Sequence, residues 1–118
     1  DLLEGQNFVT RVAEDVGPYL QSKWKELEDH PIVGHVRGIG MLGSIELVRD
    51  KNTRERLESD QKSGGICREF CIKNNLIMRA VGDSMIISPP FVCSHGDIDL
   101  LIERAKKSLD QTAAYYSV

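Results

Sequence analysis

Long hydrophobic runs, repeats and targeting signals are all missing from this sequence. None of its 118 residues belongs to a run of about 18 apolar residues, so no membrane-spanning helix is expected. No signal-peptide pattern opens the chain, and no internal repeat or low-complexity tract interrupts it. These absences argue against a membrane-spanning helix, a repeat array and a compositionally biased linker.

Cysteine and excess positive charge are also scarce. The three cysteines are odd in number and come without a secretory signal, which predicts reduced thiols and a cytoplasmic location. The 18 acidic residues outnumber the 15 basic ones and give a net charge of −3, whereas a nucleic-acid module usually carries a basic patch. We therefore expect neither nucleic acid nor a membrane as a partner.

The length suits a single domain over residues 1–118, with one modest core. The chain opens on Asp1 rather than on methionine. We therefore expect it to start inside something longer or to have been processed.

Three segments have the apolar spacing of helices. The first, over residues 1–29, should be interrupted at Pro18 and ended by Pro31. Its apolar stripe consists of Val9, Val12, Ala13, Val16, Leu20, Trp24 and Leu27. The second covers residues 66–74, and the third covers residues 95–113 with Ser94 as its N-cap and Asp97 completing a capping box.

Two further segments predict strands. Residues 32–49 favour two strands joined at a glycine-rich bend, and residues 76–88 favour a hairpin that turns at Gly82-Asp83. The order is then helix, two strands, helix, two strands, helix. This order predicts an α+β fold, with an antiparallel sheet of three to four strands in two hairpins packed with helices.

Residues 38–43 read Gly-Ile-Gly-Met-Leu-Gly and so match the G-x-G-x-x-G fingerprint of dinucleotide-binding proteins. That fingerprint requires a helix to begin at its last glycine and to direct its N-terminus at a pyrophosphate. The residues that follow alternate as a strand instead. We therefore interpret these glycines as a strand bend and predict no nucleotide site.

Cysteines and histidines offer a second candidate site. Cys67 and Cys71 lie one helical turn apart, and with His95 or Cys93 they could form a zinc site. Buried cysteines that act as small apolar residues are commoner, so we predict no metal. No histidine pairs in sequence with a serine or a carboxylate at a nucleophile-activating motif, and no catalytic residue is assigned.

Arg79 stands out because it interrupts an apolar strand next to the predicted turn. Met78 and Ala80 should face one side of the sheet and Arg79 the other. A guanidinium there can offer a planar, bidentate fork to a carboxylate. The alternative is an edge arginine that only solvates the open face.

Two motifs carry a resemblance to a known family. Residues 33–47, VGHVRGIGMLGSIEL, resemble a V-R-G-x-G stretch of the class III, pyridoxal-phosphate-dependent aminotransferases. Residues 75–83, NLIMRAVGD, and the IISPP that follows at 86–90 resemble the family's closing hairpin. The similarity is strongest to the branch that passes amino groups from ω-amino acids or putrescine to pyruvate.

The resemblance implies a fold-type I enzyme of which this chain is the small C-terminal domain. It implies a large domain that binds pyridoxal phosphate, a homodimer, and small-molecule amine and keto-acid substrates. In that branch an arginine shortly before a glycine of the hairpin binds the substrate carboxylate, and Arg79 matches this position. It is the one substrate-binding residue that we predict.

The Schiff-base lysine and the carboxylate that the cofactor requires lie upstream of these motifs in the family. We therefore predict that this chain alone neither holds the cofactor nor catalyses transamination. Two other interpretations remain open. One is a free-standing, non-catalytic α+β binding module, and the other is a small ferredoxin-like nucleic-acid binder, which the acidic balance disfavours.

Overall fold

Helices and strands alternate along the chain in the predicted order. The computed structural model describes residues 12–58, 62–89 and 94–118. In chain order the regular elements are helix α1 (Gly17–Lys25), strands β1 (Val33–Ile39) and β2 (Leu42–Leu47), helix α2 (Ser63–Lys73), strands β3 (Arg79–Val81) and β4 (Ser84–Ile87), and helix α3 (His95–Tyr115).

The first helical segment is confirmed from residue 12 onward. A π-helical turn, Val12–Val16, leads into α1, and a 3₁₀ turn, Glu26–Asp29, follows it. The interruption predicted at Pro18 takes the form of this change in helix type, because Pro18 lies in the first turn of α1, where no amide hydrogen bond is lost. Residues 1–11 of the predicted helix, Val9 among them, lie outside the described residues.

The four strands form one antiparallel sheet in the order β1-β2-β4-β3. Each predicted hairpin is present, and the pairing of β2 with β4 joins the two hairpins. The predicted α+β fold is therefore confirmed, with four strands. Strand β3 pairs on one side only and forms an edge of the sheet among the described strands.

All three helices cover the same face of the sheet. Trp24 of α1 lies against Gly43 of β2, where a side chain would come within 2.6 Å of the indole. The start of α2 lies against Ala80 of β3, and α3 buries Ile102 and Leu109 in the same core. We call this the helix face and the opposite side of the sheet the open face.

Two predicted boundaries were wrong by three residues each. Helix α2 begins at Ser63, three residues before the predicted start, because the amide of Gly64 finds a carbonyl partner in the β3–β4 turn. Strand β3 begins only at Arg79, so residues 76–78 of the predicted strand pair with no other strand. They are held by helix α2, whose Cys71 carbonyl accepts the amide of Leu76 at 2.8 Å.

The predicted capping box of the last helix is confirmed. The Ser94 hydroxyl accepts the Asp97 amide at 3.1 Å, and the Ser94 amide donates to the Asp97 carboxylate at 2.9 Å. This backbone hydrogen bond holds the pKa of the Asp97 carboxyl below its ordinary value. Because folding lowers that pKa, the stabilisation from Asp97 is present at neutral pH and is lost as the pH falls through it.

Replacing Ser94 by alanine should lower the free energy of unfolding by about 1 kcal/mol, because the Asp97 amide at the start of α3 loses the hydroxyl that accepts its hydrogen bond. Urea denaturation followed by circular dichroism measures this change. Ser22→Ala, at an exposed serine within α1, is the matched control and should change stability far less. Equal losses of stability in the two variants would contradict a stabilising role of the Ser94 cap.

Within the three described ranges, no helix is both long enough and apolar enough to cross a membrane.

Candidate functional site

Arg79 is the first residue of the edge strand β3, and its side chain is exposed. It lies opposite Ile86 of β4, whereas its neighbour Ala80 lies opposite the buried Met85. Residues that pair across antiparallel strands point to the same face. Arg79 therefore points to the open face, and the predicted alternation with Met78, which is buried, and Ala80 is confirmed.

The Arg79 guanidinium is available to a ligand. No described side chain or carbonyl forms a hydrogen bond or an ion pair with it. Its five N–H donors lie in one plane and match the two oxygens of a carboxylate. The Arg79 guanidinium therefore has no competing protein partner in the described part of the chain.

The open face around Arg79 mixes charge with exposed apolar surface. One row across the sheet, read from the pairings, consists of Arg37, Ser44, Ile86 and Arg79. Three large apolar side chains also lie on this face and are half exposed or more: Ile39 at 77%, Leu42 at 50% and Val81 at 52%. A face of this composition is typical of a surface that another part of a protein covers.

The β3–β4 turn beside Arg79 is held by two neighbouring segments, the start of helix α2 and the end of strand β2. Gly82 adopts a φ of 60°, which glycine tolerates without strain. Its carbonyl accepts the Gly64 amide at 3.1 Å, and the Asp83 carbonyl accepts the Leu47 amide at 2.8 Å. The Ser63 hydroxyl donates to the Asp83 carboxylate. The turn also lines a polar cleft of about 430 Å³.

The sequence predicted the turn but not its supports. Ser63 is fully buried, and its partner Asp83 lies 20 residues further along the chain. The predicted helix began only at residue 66, and glycine is a poor helix former. A side chain at Gly64 would come within 2.4 Å of the Gly82 carbonyl oxygen, so this glycine is required for close contact. No local signal could have revealed that contact.

The glycines of residues 38–43 form the β1–β2 hairpin, as interpreted. Gly40 lies in the turn with a φ of 55°, and the strand β2 follows directly. Gln21 of α1 donates to the carbonyls of Gly40 and Leu42, each at 2.9 Å. These glycines shape a bend, and no helix begins at the last of them.

Cys67 and Cys71 are free and buried. A hydrogen bond between them raises the pKa of the Cys67 thiol and lowers that of Cys71 to about 7. The described residues contain no group of three side chains that could hold a metal ion, and Cys93 lies outside them. His95 instead lies 2.7 Å from the carboxylate of Asp15.

The histidines make structural contacts between elements. The His95 ring stacks on Tyr19 at a centroid distance of 3.9 Å, and His30 lies 2.7 Å from the carboxylate of Asp110. His35 sits on β1 opposite Glu46. None of these hydrogen bonds involves a serine or a thiol that could serve as a nucleophile.

The residues present do not fit a cofactor site that depends on a Schiff base. All seven lysines are described and none is buried. Lys23 and Lys106 approach Glu26 at 3.5 and 3.6 Å, and the Lys51 ammonium donates to a carbonyl. A lysine that forms a Schiff base must lose its proton, which burial promotes and exposure does not.

Solved structures share this fold. The structure described as a transaminase with L-alanine superimposes with a TM-score of 0.87 and 32% identity over 97% of this chain and 27% of that chain. The omega transaminase from Pseudomonas jessenii in complex with PMP gives a TM-score of 0.87 and 27% identity over 98% of this chain and 25% of its own. The fold is therefore that of one part of a transaminase.

Sequence relatives agree with the structures. The chain is 53% identical to the putrescine–pyruvate aminotransferase of Pseudomonas aeruginosa, over 96% of this chain and 25% of that protein. It is 32% identical to the mitochondrial gamma aminobutyrate transaminase 1 of Solanum lycopersicum, over 91% of this chain and 21% of that protein. No family model matches the sequence.

The chain is similar to these aminotransferases over more than nine tenths of its length, and the resemblance seen in its sequence is confirmed. It spans about a quarter of the length of the curated relatives it matches.

Proposed function

We propose that the chain is the small C-terminal domain of a longer, pyridoxal-phosphate-dependent class III aminotransferase. Residues 1–118 would form this one domain, and the cofactor-binding large domain would be supplied by the rest of the polypeptide. The proposal is supported by relatives that are aminotransferases matched over about a quarter of their length. It also agrees with the absence of a buried lysine among the seven of this chain.

We propose that the complete enzyme passes an amino group from an amine or ω-amino acid, putrescine being the first candidate, to a keto acid such as pyruvate. The 53% identical relative is a putrescine–pyruvate aminotransferase, which supports this substrate pair. Within the chain, the proposal is supported by the state of Arg79. Its guanidinium is exposed and has no protein partner among the described residues.

Arg79 would bind the carboxylate of the keto acid and orient its carbonyl group. Two parallel N–H···O bonds fix both the position and the tilt of a carboxylate. Holding a reactant in this way can remove several kcal/mol from a barrier, by making the encounter intramolecular. The chemistry of the amino group itself belongs to the cofactor and to residues outside this chain.

The open face would contact the remainder of the enzyme. Its exposed Ile39, Leu42 and Val81 are unusual on a free surface. Because Arg79 lies among them, a domain that packs on this face would also enclose the arginine. A homodimer with a site at the subunit interface, a cytoplasmic location and reduced cysteines complete the proposal. Small-molecule amine and keto acid are the expected ligands.

The first experiment compares the complete gene product with the isolated 118-residue chain. Each is mixed with pyridoxal phosphate, reduced with borohydride and digested, and the labelled lysine is identified. We expect one labelled lysine outside this chain in the complete protein, together with amino transfer from putrescine to pyruvate. The isolated chain should show neither labelling nor transfer.

Stoichiometric labelling of one lysine within residues 1–118 would contradict the proposal. A gene product without an upstream domain, a bound cofactor or transaminase activity would favour the alternative, a free-standing α+β binding module in which Arg79 is a surface arginine.

A further inference from the structure

Helix α2 supports the strand that carries Arg79 at both of its ends. Strand β3 has only three residues and pairs only with β4. An edge strand this short has little stability of its own, and a slip of one residue would turn its side chains to the other face. The position of Arg79 therefore depends on the contacts that hold the flanks of β3.

The C-terminal end of α2 holds the residues that precede β3. The Cys71 thiol lies 3.8 Å from the Met78 sulfur, and both side chains are buried on the helix face. The Cys71 carbonyl accepts the Leu76 amide at 2.8 Å. Met78 directly precedes Arg79, so this end of the strand is anchored in the core.

The N-terminal end of α2 holds the turn that follows β3. The Gly64 amide donates to the Gly82 carbonyl, and the Ser63 hydroxyl donates to the Asp83 carboxylate. The second oxygen of that carboxylate lies 3.7 Å from Nε of Arg56. Of the two hydrogen bonds from α2 to this turn, the Ser63–Asp83 bond is made between two side chains, so a single substitution can remove it.

We propose that Ser63 and Asp83 are positioning residues for the substrate carboxylate, acting through Arg79. The inference rests on the proposed function. Ser63 is fully buried on the helix face, whereas Arg79 is exposed on the open face, so Ser63 cannot itself contact a substrate held by Arg79. The hydrogen bond between Ser63 and Asp83 fixes the β3–β4 turn and therefore the register of β3. The register in turn sets the position of the Arg79 guanidinium that binds the keto acid.

The test uses the complete enzyme and two amino acceptors, pyruvate and butanal, of which only pyruvate has a carboxylate. Ser63→Ala should raise the KM for pyruvate about tenfold, because small displacements of a positioning group weaken binding strongly. Transfer to butanal should be unchanged. In the Arg79→Ala background, Ser63→Ala should have no further effect on pyruvate, since coupled residues are not additive.

Asp83→Ala removes the same hydrogen bond from the less buried side and should reproduce the effect, which keeps the test valid if Ser63→Ala fails to fold. Asp83→Asn is the matched control, since its amide oxygen can still accept from Ser63, and it should stay close to the wild type. Ser22→Ala, at an exposed serine, controls for the substitution itself.

An equal loss with pyruvate and butanal, or additive effects of Ser63→Ala and Arg79→Ala, would overturn the inference and leave Ser63 a purely structural residue. If Arg79→Ala weakens transfer to pyruvate and Ser63→Ala does not, the inference about Ser63 is overturned, whereas the proposed role of Arg79 stands. If Arg79→Ala itself leaves pyruvate transfer unchanged, the role of Arg79 in the proposed function fails instead.

Discussion

Replacing Arg79 by alanine is expected to lower kcat/KM for pyruvate about 100-fold in the complete enzyme. Hydrogen bonds to a charged partner contribute about 1.5–3 kcal/mol, and two of them would be lost together. A loss of about 2.7 kcal/mol corresponds to the 100-fold decrease. The measurement is the steady-state rate of alanine formation from putrescine and pyruvate.

Comparing pyruvate with an acceptor that lacks a carboxylate separates a loss of carboxylate binding from a general loss of activity. With butanal, which has no carboxylate, Arg79→Ala should keep most of the wild-type rate, and the cofactor absorbance should not change. Arg68→Ala, at an exposed arginine of α2, tests for a general effect of lost positive charge and should have little effect on either acceptor. An equal decrease with both acceptors would indicate a folding defect and would contradict the carboxylate-binding role.

Trp24→Ala is expected to be the most destabilising substitution in the described core. Trp24 is fully buried, lies against Gly43 and donates from its indole nitrogen to the Ser44 carbonyl at 3.3 Å. Replacing a buried tryptophan by alanine costs about 3–5 kcal/mol through lost burial and the cavity left behind. That loss is a large part of the 5–15 kcal/mol by which a typical domain is stable.

Chemical denaturation followed by circular dichroism measures this effect. Trp24→Phe should lose less, because it fills much of the same volume but cannot donate to Ser44. Lys25→Ala changes the exposed neighbour and should alter stability only slightly. A Trp24→Ala variant as stable as the wild type would mean that α1 does not anchor the β1–β2 hairpin.

Local signals explain what the sequence could predict. Helix α3 was recognised because its apolar spacing and its capping box both lie within a few residues. The side of the sheet that Arg79 faces followed from strict alternation with Met78 and Ala80. Both features depend on neighbours in the sequence, which is why periodicity alone was sufficient.

Contacts between distant residues explain what the sequence could not predict. Helix α2 begins at Ser63 because the Gly82 carbonyl accepts the amide of Gly64, a partner 18 residues away. The Ser63–Asp83 hydrogen bond likewise joins two elements that no spacing relates. The order of the strands, with β4 rather than β3 next to β2, depends on the same tertiary packing.

The most direct test of the account is a crystal structure of the complete enzyme with pyruvate or an unreactive carboxylate analogue bound. The account predicts both carboxylate oxygens within about 2.7–2.9 Å of the Arg79 guanidinium nitrogens, as in a bidentate pair. The Ser63–Asp83 hydrogen bond should be intact on the other face of the sheet. A carboxylate held by a different cation, with Arg79 in solvent, would contradict it.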